Sequence, residues 1–149
     1  MDEERIPPLL PVDEMPPIRT QEELHRHWRA LMGPLGFAHR QLWLAVIDAD
    51  RRPTPVVLQI DELPEQPEPA ALDSLMGLIE HLLDAEPGCS VALLLARPGP
   101  AFVTAADRSW ATGLTRAARR GRVPLEPLHL ATAEAVRVFA PDDLIERSA

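Results

Sequence analysis

Residues 90–114 read SVALLLARPGPAFVTAADRSWATGL, and this stretch decides the fold. Val91 to Ala96 is apolar at every position, as a strand covered on both faces would be. Arg97, Pro98, Gly99 and Pro100 follow as a loop, since proline fixes φ and removes a donor. Thr104 then offers a capping oxygen to a helix, and Asp107 stands three residues on, a capping pattern. Trp110, Ala111, Leu114, Ala117 and Ala118 give that helix an inner stripe at helical spacing, and Gly121 ends it. Strand, tight loop and helix together form the repeating unit of an α/β sheet.

The same reading extends in both directions. Downstream, Leu125 to Leu130 predicts a fourth strand, Ala135 to Phe139 a fifth, and Pro141 to Ile145 a short last helix. Upstream, Leu72, Leu75, Met76, Ile79, Leu82 and Leu83 mark the clearest amphipathic helix of the chain. Before it, Gln41 to Asp48 and Pro55 to Ile60 read as two strands of a hairpin joined by a turn at Asp50 to Pro53. Residues 61–69 hold three prolines and four acids and read as a loop. Thr20 with Glu23 opens the first helix as a capping box, Leu24, Trp28, Leu31 and Met32 share one face, and Gly33 and Pro34 stop it.

The expected order is α-β-β-α-β-α-β-β-α. It predicts a single α/β domain over residues 20–149, a mixed sheet with helices on its faces. The first hairpin is expected antiparallel, and the strand-helix-strand units parallel with right-handed crossovers. Residues 1–19 mix prolines with acids and read as a disordered arm. Ile6, Leu9, Leu10 and Val12 nevertheless give it apolar side chains able to dock on a partner or on the domain.

The 149 residues carry a formal charge of −8, which argues against broad binding to nucleic acid or anionic lipid. All 15 basic residues are arginine, so no lysine amine is present for Schiff-base chemistry. Cys89 is the only cysteine, which excludes an intrachain disulfide and a cysteine-based zinc site. No run is long enough to span a bilayer, and no secretory pattern opens the chain, so a cytoplasmic protein without a membrane partner is expected.

Few residues carry chemistry. The five histidines form no His-x-x-x-His pair, and no serine sits in a Gly-x-Ser-x-Gly turn. The loop Arg97 to Pro100 lies where α/β proteins bind ligands but lacks a Gly-rich phosphate cradle. Asp107 reads as a helix cap, with a metal-ligand or acid-base role as the alternative. Arg97, Thr104, Asp107 and Arg108 form the candidate ligand or partner site. Arg116, Arg119, Arg120 and Arg122 form a basic patch that the helix dipole accounts for, with an acidic partner or nucleic acid as the alternative.

The run from Ser90 to Leu114 resembles the heart of RadC-like proteins of the MPN (JAMM) group. Those have an apolar strand, then His-x-His-Pro, a Pro/Gly-rich loop, and Ser-x-x-Asp opening a helix. Thr104 to Asp107 stands where Ser-x-x-Asp would, followed by a helix with a basic end and the strand from Leu125. The hairpin and helix upstream keep the same order, so the resemblance covers about residues 37 to 140. The family's histidine ligands would fall near Leu94 and Ala96, or one residue later, and neither register supplies a histidine. Glu62 is nearest in position to its upstream glutamate. The resemblance therefore implies a metal-free relative without the hydrolysis of the metal-bearing members.

Two functions are expected on this basis. The first is a non-catalytic binding or scaffold module, without cofactor or metal, whose partner is a protein. The second is an enzyme or sensor taking a small anionic metabolite near Arg97, Asp107 and Arg108. Nucleic acid is disfavoured, and a homo-oligomer remains open.

Overall fold

The computed structural model describes residues 6–144. Thr20 Oγ1 accepts from the Glu23 N–H at 3.1 Å, and Glu23 Oε1 accepts from the Thr20 N–H at 3.0 Å. This reciprocal cap opens α1, Gln21–Met32. The helix ends at Gly33, whose φ of 60° favours a residue without Cβ. The hairpin follows as β1, Gln41–Ile47, and β2, Pro53–Ile60. Then come α2, Pro69–Leu83, β3, Ser90–Ala96, and α3, Ala105–Gly121. The short strands β4, His129–Ala131, and β5, Val136–Val138, complete the sheet.

The fold is α/β, with three α-helices and one five-stranded mixed sheet among the described residues, in the order β2-β1-β3-β4-β5. β1 is antiparallel to both β2 and β3. β2 and β3 therefore run the same way with β1 between them, and α2 carries the chain across it. β3 and β4 are parallel, joined through α3, and β4 and β5 are antiparallel.

Strand alternation divides the core in two. Leu42, Leu44, Val46, Val91, Leu93 and Leu95 face α2 and α3. Ala45, Ile47, Ala92, Leu94, Ala96 and Ala131 face Leu24 and Trp28 of α1. The small side chains on the second face let one helix approach closely. No helix among the described residues is long and apolar enough to cross a membrane.

Three expectations change. The fourth strand begins at His129 rather than Leu125. Leu125 makes only an isolated bridge to Val91, and Pro124 and Pro127 lack the N–H groups a continuous ladder needs. The last helix is a single 3-10 turn, Pro141–Leu144, and position 145 lies outside the described residues. Finally, the folded body begins ahead of Thr20. Ile18 is 1% exposed within the α1-side core, and its N–H donates to Arg51 O at 2.7 Å. Arg51 Nε donates back to Ile18 O at 2.9 Å, so a backbone-deep clasp anchors the end of the proline-rich stretch. A 3-10 turn at Val12–Glu14 lies against β2.

Candidate functional site

β3 delivers Arg97 to the sheet's C-terminal rim, and the turn that caps α3 delivers Asp107 to the same point. The Asp107 side chain is fully buried. Arg97 Nε lies 2.8 Å from Asp107 Oδ1 and 2.9 Å from Oδ2, and Nη2 lies 2.8 Å from Oδ2. Arg40 Nη1 donates to Oδ1 at 2.9 Å, and the Thr104 N–H donates to Oδ2 at 2.9 Å. Thr104 Oγ1 accepts from the Asp107 N–H at 3.2 Å, completing a second capping box.

Burial by itself would raise the Asp107 carboxyl. The hydrogen bonds from Arg97, Thr104 and Arg40 and the Arg97 charge outweigh it and hold the group below the ordinary carboxylate range. Asp107 is therefore a cap, as expected, and also the anion that neutralises a buried guanidinium.

Arg97 is only 5% exposed, and the protein occupies its remaining donors. Nη1 donates to Pro98 O and Pro100 O, both at 3.0 Å, and Nη2 to Phe102 O at 2.7 Å. A guanidinium has five N–H groups, and here each has an acceptor. Nothing remains for an incoming anion. Of the residues expected to take a small anionic ligand, Arg97, Asp107 and Arg108, Arg97 thus has no N–H left to offer one. Arg108 is half-exposed; its backbone N–H donates to Thr104 O at 3.1 Å as part of the helix start, and its guanidinium is not among the groups that bind Asp107.

Arg40 escaped the sequence reading. It precedes β1, and the register that sets Gln41 against Ala96 brings it beside Arg97. Only long-range strand pairing creates this neighbourhood, so no local motif could signal it.

The clasp shapes a loop. Pro98, Gly99 and Pro100 are exposed, and Phe102 is 63% exposed. Gly99 has φ of 100°, and a Cβ there would meet Arg97 Nη1 at 3.3 Å. The Ala101 N–H donates to Glu134 Oε1 at 2.9 Å, fixing the far side. An aromatic ring is thus held out on a backbone tied at three carbonyls.

The other candidates lie elsewhere. Arg116, Arg119, Arg120 and Arg122 are all exposed around the end of α3. Arg120 pairs with Asp73 of α2 at 2.7 Å, and Arg122 caps the helix in the left-handed region. His81 is exposed on α2, whereas His129 is buried on the α1 side of β4. Leu94 and Ala96, the positions the resemblance reserves for histidines, are wholly buried against α1. Glu62 is exposed beyond β2.

A metal does not fit this neighbourhood. Both Asp107 oxygens are taken, and two guanidinium groups would oppose a cation. Among the described residues no group of three or more His, Cys, Asp or Glu side chains is placed to hold one. A groove of about 460 Å³ also runs between the arm and α1, lined in part by Leu9, Leu10, Met15, Ile18 and His27. A scan against models of protein families and a search of curated proteins both give no match to the chain.

Proposed function

We propose that the chain is a non-catalytic, cytoplasmic binding module that holds a protein partner through the loop from Pro98 to Phe102. It is a metal-free relative of the RadC-like MPN group, in which Arg97 and Arg40 present to Asp107 the positive charge that a metal would otherwise supply. The saturated Arg97–Asp107 cluster carries this reading: its groups are spent on one another and on the loop, which leaves neither Arg97 nor Asp107 a free donor or acceptor for chemistry. Buried ion pairs add little net stability but can hold one conformation. Here the conformation held is a loop displaying Phe102. An aromatic side chain on a rigid support binds with little loss of conformational entropy and is a common anchor of interfaces.

The test is affinity capture from extracts of the source cell, quantified for wild type, Phe102→Ser and an Arg119→Ser control, beside a zinc titration by calorimetry. Phe102→Ser should keep the wild-type melting temperature and lose its principal partner by about tenfold or more. An unchanged partner list for Phe102→Ser, or tight one-to-one zinc binding, would sink the proposal.

A further inference from the structure

β2 is an outer strand of the sheet, and its eight residues, PTPVVLQI, include no charge. Exposed edge strands are normally blunted by charged side chains, prolines or bulges, because their unpaired N–H and C=O groups recruit other strands. Here the blunting is confined to one half: Pro53 and Pro55 disable the start, and the irregular register lies between Ala45 and Ile47 of β1. From Val57 to Ile60 the strand keeps a regular register with β1 and carries no proline and no charge. The arm's 3-10 turn lies against β2, yet Leu58 and Ile60 remain 40% and 42% exposed.

These two side chains share a face with Val56, which packs on the α2 side of the core. Their β1 partners, Leu44 and Leu42, belong to the same core. α2 adds to this surface. α3 covers the flank of α2 that carries Leu72, Asp73 and Met76. The opposite flank carries Ala71, Leu75, Leu78 and Leu82 at helical spacing, each half-buried or exposed, with Leu78 at 48%. An open strand edge and an uncovered apolar helix flank therefore lie on one side of the molecule.

We infer that this side is a homodimer interface, in which β2 pairs antiparallel with β2 of a second copy to make one continuous sheet. A two-fold axis through the edge sets Leu58 opposite Leu58 of the second copy and Val56 opposite its Ile60. Both α2 helices then lie on one face of the joined sheet, with Leu78 of each turned toward the axis. Both prolines fall outside this register.

Charge selects the antiparallel sense. β2 ends in the exposed acids Asp61, Glu62 and Glu65, and it begins at exposed Arg52, which has no ion-pair partner among the described residues. Asp50 leaves that first end near neutral. Antiparallel pairing sets Arg52 of each copy beside the acids of the other, whereas parallel pairing would set acid against acid. The surface is isologous, as two-fold dimers require, and independent of the loop at Phe102.

Sedimentation velocity from low micromolar to near-millimolar protein tests this. Wild type should shift from monomer to dimer within that range. Leu58→Lys and Ile60→Lys, both at exposed positions, should stay monomeric with unchanged melting temperatures. Arg52→Glu should raise the dimer dissociation constant about tenfold, and Arg52→Glu with Glu62→Arg should restore most of it. A wild type that stays monomeric throughout overturns the inference, as does a dimer that survives either lysine substitution.

Discussion

Asp107 is a fully buried carboxylate that accepts from two guanidinium groups and a backbone N–H. Removing one partner of a buried pair leaves an uncompensated charge, which costs about 3–5 kcal/mol. Asp107→Ala should therefore lower stability by roughly that amount in urea unfolding, and it also deletes half of the α3 capping box. Arg97→Lys should be costly too. It keeps the charge, but an ammonium cannot reach Asp107 and the carbonyls of Pro98, Pro100 and Phe102 from one planar fork. Losses below about 0.5 kcal/mol for both variants would mean that the cluster does not hold the loop.

At the scale of elements, the sequence foretold what is local. Both capping boxes, the stripes of α1, α2 and α3, and the uniformly apolar β3 are short-range patterns, and each element lies where its pattern put it. What escaped depends on distant partners. Arg40 reaches Asp107 only through the β1–β3 register, and β4 is short because proline donors are missing from a ladder that leucine content alone would extend. The anchoring of Ile18 was hidden for the same reason. Arg51 has φ of 64° in its turn, and its Nη1 and Nη2 each lie 2.8 Å from an oxygen of Glu126, while its Nε holds Ile18 O. One arginine thus joins the arm, the hairpin turn and the β4 approach. Its hydrogen bonds hold the Glu126 carboxyl below its ordinary range. Arg51→Ala should leave the sheet folded but loosen the arm, so limited proteolysis should cut around residues 10–19 many times faster than in wild type. Equal cutting rates would show that Ile18 burial suffices without the clasp.

Across the whole molecule the two faces of the sheet are unequal. One carries two helices over an apolar core, and the other carries α1 over a face with four alanines and, nearby, the buried His129. The His129 ring is fully buried. Its Nδ1–H donates to Pro127 O at 3.0 Å, and Nε2 has no hydrogen-bond partner among the described residues. His25 of α1 faces it with ring centres 6.3 Å apart, and His25 Nε2–H donates to Val136 O. Burial, with His25 nearby, pushes the His129 imidazole down to about 4 from an ordinary 6.5. A base with a depressed folded pKa costs nothing above its unfolded value. As pH falls from 6.5 toward 4 the unfolded chain takes up the proton and the folded chain does not, so stability falls by about 1.4 kcal/mol per unit, on the order of 3 kcal/mol in all. This window precedes the one in which Asp107 and Glu126 protonate, because their depressed values keep them charged below the ordinary carboxylate range. Urea unfolding at successive pH values should show that slope in wild type and a much flatter one in His129→Leu, with Trp28 fluorescence reporting the α1 face first. Parallel slopes for the two proteins would move the acid sensitivity away from His129 and leave the α1 face no weaker than its opposite.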